Sequence, residues 1–159
     1  MKSARETVPL FIFVLVACRS VERALPRVHN DDAPIIRSAI DAARGCVPRI
    51  VTLDQCSDAA DAARQVYEEI WEVFDAHGTK DQTWWADLTT AQAALAASYA
   101  ADAAFFIVED DLKEASELCR EALKHARFAS QHSFRTEQIE KEREAQYADY
   151  LALVAEVTA

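Results

Sequence analysis

With 159 residues, about half of them hydrophobic and only two Gly and four Pro, the chain suits one helical domain and not a turn-rich β fold. Its net charge of −10 disfavours nucleic acid and anionic membranes as partners. The four cysteines form no C-x-x-C pair and no histidine stands close to two of them. That argues against a zinc site and for buried, reduced thiols.

In chain order, the first segment is "VPLFIFVLVACRS", residues 8–20. Basic residues, a short apolar run and a small residue before Cys18 give it the order of a lipoprotein signal, with residues 1–17 removed and Cys18 lipidated. Leu10, Val14, Cys18, Val21 and Leu25 instead keep the spacing of a buried helix face, and "RSVERALPRV" continues that helix directly where a polar tether would be expected. Glu6 also interrupts the basic leader, so the helix is the preferred reading. The apolar run is far short of the ~20 residues that span a bilayer.

Asp32 and Pro34 open the next helix, with Ile36, Ala39, Ile40 and Ala43 on one face and Gly45 and Pro48 ending it. Thr52-Leu-Asp-Gln55 has the spacing of a capping box. The helix it starts should bury Cys56, Ala60, Ala63, Tyr67, Ile70 and Phe74 and stop at His77-Gly78. After the loop "HGTKDQT" a fourth helix starts near Trp84. Nine of the fourteen residues from Ala91 to Ala104 are alanine, which allows close approach on every side and predicts a central position. Asp111-Leu-Lys-Glu114 caps a fifth helix with Ala115, Cys119, Ala122, Ala126 and Ala129 inward. A sixth starts at about Thr136, its early turns charged and its later ones burying Tyr147, Tyr150, Leu151 and Val154. The expected fold is all-α: residues 1–159 as a single-domain antiparallel bundle of five to six helices.

Charge is unevenly distributed along these helices. Residues 1–49 hold eight Lys/Arg against five Asp/Glu, and residues 124–159 hold five against six. Residues 50–123 hold four against sixteen. An acidic middle of this kind suits a basic protein partner by electrostatic steering. The candidate contact residues are Asp58, Asp61, Glu68, Glu69, Glu72 and Asp75, joined by Trp84 and Trp85. Adjacent tryptophans on a helix point about 100° apart, so one is expected in the core and the other is a candidate anchor.

Other constellations carry less. Glu121, His125 and His132 share a helix face, but di-iron bundles need Glu-x-x-His pairs on two helices, which this chain lacks. Glu68, Glu69, Glu72 and Asp75 are carboxylates without a nucleophile or phosphate loop beside them. No catalytic residue, metal or cofactor is expected. Asp102, amid alanines, either pairs with an arginine or faces water.

Three segments resemble one family. "SVERALPRVHNDDAPIIRSAIDAAR" (20–44) is similar to the opening of the all-α immunity proteins of bacterial polymorphic toxin systems. There an E-R-x-L-P helix end (here Glu22, Arg23, Leu25, Pro26) precedes an acidic, Pro-containing turn (Asp31, Asp32, Pro34). An A-I-x-A-A-R helix follows (Ala39, Ile40, Ala42, Ala43, Arg44). "AALAASYAADAA" resembles the family's small-residue central helix, and "EREAQYADYLALV" (142–154) its closing helix. This chain departs from the pattern in "GCVPRIV", where the family has a polar turn, and in carrying Tyr99 and Asp102 where the family often has histidine. The resemblance implies a small, non-catalytic cytoplasmic protein that binds and neutralises a cognate toxin. Two alternatives stand beside it. One is a lipid-anchored envelope protein modified at Cys18. The other is a tetratricopeptide-like scaffold, since "EDDLKEASELCREALKHA" resembles half of such a unit, although no second copy follows at that period.

Overall fold

The computed structural model describes residues 4–74, 82–131 and 136–159. The predicted stop at His77-Gly78, Asp75 and His132 lie outside them. Among the described residues six helices follow one another: α1 (Ala4–Ala24), α2 (Ala33–Cys46), α3 (Leu53–Phe74), α4 (Gln82–Val108), α5 (Leu112–Ala129) and α6 (Glu137–Thr158). A 3₁₀ turn, Leu25–Arg27, leads from α1 towards α2. The bundle is all-α, as the composition predicts.

α4 is its axis. All nine alanines from Ala91 to Ala104 are fully buried, and α1, α2, α3 and α5 pack around them. Alanine loses no rotamer freedom on burial, so a helix closed off on every side by its neighbours is cheap to order. Thr83–Val108 is also long and apolar enough to span a bilayer by length and composition, and 72% of its most apolar window is buried inside the bundle. Cys56 donates to the Ala101 carbonyl and Ser98 to that of Ala60, so α3 and α4 run antiparallel. α5 returns antiparallel along α4, with His125 bonded to Gln92. α1 runs in the same direction as α5, since Cys119 reaches Leu10 and Arg27 reaches Ser130.

The helix ends follow local chemistry. The Thr52–Gln55 box closes reciprocally: Thr52 N–H donates to Gln55 Oε1 at 3.0 Å, and Gln55 N–H to Thr52 Oγ1 at 3.1 Å. Asp111 Oδ1 caps α5 through the Glu114 N–H. α2 terminates differently from expectation. Gly45 lies inside its last turn, where a Cβ would come within 2.5 Å of Val51 Cγ2. The left-handed residue is Arg49, at φ 63°, and the Ile50 and Val51 amides both return to the Gly45 carbonyl.

α1 buries Val14, Cys18 and Val21 as its spacing predicts, together with Ile12, Val16 and Ala17; Leu25 is buried in the 3₁₀ turn that follows, and Leu10 is half-buried. α6 corrects the sequence reading. Tyr147 and Leu151 are 64% and 50% exposed, while Glu142, Gln146 and Leu153 are buried. The reason lies in what α1 and α5 offer. Ser20 donates to Glu142 Oε1 at 2.5 Å, Arg23 Nη2 to the same oxygen at 2.5 Å, and Arg23 Nη1 to Asp149 at 2.7 Å. Gln146 donates to Ser20 and to the Leu123 carbonyl and accepts from Arg127. Burying these groups unpaired would cost more than leaving a tyrosine in water. α6 therefore turns its polar stripe inward and closes over Ile12 and Val16 with Leu153 and the half-buried Tyr150 and Val154, the two residues of the expected apolar face that do pack inward.

Candidate functional site

α3 divides its circumference sharply. Cys56, Ala60, Ala63 and Val66 face α4 and are buried, whereas Asp54, Asp58, Asp61, Glu68, Glu69 and Glu72 are all exposed. At 100° per residue these six carboxylates fall within about a third of the helix circumference, forming one ridge along the outer face. Of the candidate contact residues, Asp58, Asp61, Glu68, Glu69 and Glu72 thus lie on one face of α3.

Elsewhere several carboxylates have cations. Glu22 pairs with Arg44, Glu142 and Asp149 with Arg23, Glu121 with Lys124, and Glu140 with Arg143. Along the ridge no carboxylate meets a cation among the described residues, and the one hydrogen bond it receives is from Gln65 to Glu69. Asp54/Asp58 and Glu68/Glu72 stand at i, i+4 and Asp58/Asp61 and Glu69/Glu72 at i, i+3, where like charges destabilise a helix by roughly 0.2–0.5 kcal/mol per pair. Glu72 also faces the negative end of the helix dipole, and the last turn of α3 has no basic residue. The like-charged pairs of the ridge therefore cost the helix some stability.

The single cation of α3, Arg64, is already engaged. Its guanidinium donates to Asp102 at 2.8 Å and to Ser98 at 3.3 Å, and stacks 5.2 Å over the Tyr99 ring. This resolves Asp102 as an arginine-paired group. Burial, opposed by Arg64, pushes its carboxyl above the usual range.

At the C-terminal end of the ridge the rings form a ladder. Tyr67 stacks on Trp71 at 5.6 Å, Trp71 on Phe74 at 5.1 Å, Phe74 on Trp84 at 4.8 Å, and Trp84 meets Trp85 edge-on at 4.6 Å. Trp84 and Trp85 are both half-buried, so neither separates into core and anchor as the sequence suggests. The exposed indole is Trp71, at 38%. With Tyr67, Glu68 and Glu72 it lines a shallow groove of about 340 Å³. Sequence reasoning missed Trp71 as an anchor because it lies just beside the apolar stripe. Its place four residues after Tyr67 was the available signal. Ile50, 81% exposed at the α2–α3 turn, was missed likewise.

The remaining chemistry-bearing groups are committed to packing. Burial pushes Cys18 and Cys119 up to about 12 and raises Cys46 and Cys56 as well, so the thiols stay protonated and unreactive at neutral pH. His125 bonds Gln92 at 2.6 Å and faces Glu121 at 3.4 Å. Among the described residues no group of three or more His, Cys, Asp or Glu is arranged to hold a metal ion. Compared with family models, curated proteins and solved structures, the chain gives no match.

Proposed function

We propose that this chain is a non-catalytic binding protein of the immunity type, which docks a basic toxin domain on the outer face of α3 in the cytoplasm. The observation that carries the reading is the ridge from Asp54 to Glu72, six exposed carboxylates on one helix face with no cation paired to them among the described residues. Clustered charge of one sign raises the encounter rate with an oppositely charged protein and sets orientation. Trp71 and Ile50 offer exposed apolar side chains at the two ends of the ridge, and Trp is enriched among the residues that anchor interfaces. The family resemblance of residues 20–44 supplies the kind of partner.

The packing of α1 bears on the lipoprotein alternative. A chain beginning at a lipidated Cys18 would have to fold without Ile12, Val14, Val16 and Ala17. A tetratricopeptide-like array would need further copies of the 109–126 unit to stack on it.

The test is capture from the native host, with the wild-type chain and a variant carrying Asp58→Lys, Asp61→Lys, Glu68→Lys and Glu72→Lys. A basic protein recovered at low salt by the wild type and lost with the variant supports the reading. Equal recovery by both chains removes the ridge from the interface.

A further inference from the structure

Among the concavities of the surface, the groove at the C-terminal end of α3 has a composition that specifies a ligand. One wall is aromatic, the paired rings of Tyr67 and Trp71; the other is formed by Glu68 and Glu72, one helical turn apart. A primary ammonium would be served by the carboxylates alone. A guanidinium uses both walls, because it is flat, stacks on indole and phenol, and presents a fork of N–H donors at its edge. The rings are held in place from behind by Phe74, Trp84 and Trp85, so the stacking surface is preorganised and little ordering cost falls on binding. The bundle contains this arrangement once already: Arg64 lies over the Tyr99 ring while its edge bonds the Asp102 carboxylate. Arg64 is held there and cannot fill the groove itself.

From this we infer that the groove formed by Tyr67, Glu68, Trp71 and Glu72 receives an arginine side chain of the protein partner, its guanidinium against the exposed surface of the Tyr67–Trp71 pair and its edge towards the two glutamates. The inference rests on the acidic-face reading and names what that face selects.

Three labelled peptides of equal length test it, each alternating glycine with arginine, lysine or citrulline, titrated against the full chain by fluorescence anisotropy. The arginine peptide is expected to bind about tenfold tighter than the lysine peptide, with the uncharged citrulline peptide weaker still. Trp71→Ala should erase the arginine–lysine difference. Because Trp71 also stacks on Phe74, the pair Glu68→Gln and Glu72→Gln, at exposed positions, provides a second variant that leaves the fold intact and should weaken the arginine peptide about tenfold. Arginine and lysine peptides binding alike, unaffected by Trp71→Ala, would overturn the arginine assignment and leave the acidic face standing. Absence of peptide binding together with failed partner capture would overturn both.

Discussion

Arginine 23 holds the last helix to the first, and its removal has a calculable cost. Arg23 Nη2 reaches Glu142 Oε1 at 2.5 Å and its Nε lies 3.2 Å from both carboxylate oxygens. The Glu142 side chain is only 8% exposed. In Arg23→Ala the carboxylate keeps the Ser20 hydroxyl as its one remaining donor. Stranding a buried charge costs about 3–5 kcal/mol, but Arg23 itself is 37% exposed and water can replace part of what it gave. We therefore expect a loss of about 2–3 kcal/mol. With a urea m-value of about 2 kcal/mol/M, the midpoint should fall by roughly 1 M. Glu142→Gln removes the charge and can still accept from Ser20, so it should cost about 1 kcal/mol. Combining the two strands no charge, so the double variant should be more stable than the sum of the single losses by about 1–2 kcal/mol. Urea unfolding followed by far-ultraviolet circular dichroism measures all four corners of the cycle. Additive losses, or an Arg23→Ala midpoint within error of wild type, would refute the account of why α6 turns its polar stripe inward.

Further expectations follow from other parts of the bundle. A chain starting at Cys18 loses buried Ile12, Val14 and Val16, each worth about 1.5–3 kcal/mol, an amount comparable to a whole domain's stability; it should give no cooperative unfolding transition, and a stable helical product would show that α1 is dispensable. Gly45→Ala should destabilise by about 1–2 kcal/mol because its Cβ meets the stiff Val51 side chain, and Val51→Ala in the same background should recover part of the loss, as a thermal melt would register. Burial, with Lys124 adding to it against Glu121, holds the His125 pKa down. The unfolded imidazole, at about 6.5, takes up a proton that the folded one resists, so this contribution to stability is complete above that value and declines as the pH falls through it. Unfolding midpoints between pH 7.5 and 5.5 should fall less steeply in His125→Gln; identical slopes would assign the dependence elsewhere.

Where burial is decided within one helix, the sequence was legible. The spacing Cys56, Ala60, Ala63 and the run Ala115, Cys119, Ala122, Ala126, Ala129 mark their inner faces directly, and the Thr52–Gln55 box is closed within four residues. The acidic ridge was legible for the same reason, since it is the complement of the α3 stripe. α6 was not, because its rotation depends on Ser20 and Arg23, more than a hundred residues away, and a pattern that weighs Tyr147 and Leu151 as apolar takes no account of distant donors. The same limit hid the exposed Trp71 ring: Phe74, and Trp84 of the next helix behind it, determine how much of the indole stays in water.

The alanine interior of α4 has a bearing on how such a chain can diverge. Nine sealed methyl groups leave no room for a larger residue on any side, so drift there is confined to glycine, serine and alanine itself. The outward carboxylates of α3 touch nothing that folding needs, and each can be exchanged within a fraction of a kcal/mol of stability. Selection can therefore rewrite the contact surface one residue at a time while the scaffold stays fixed. In a lineage that follows a changing partner, the α3 ridge would accumulate replacements fastest and the α4 axis slowest.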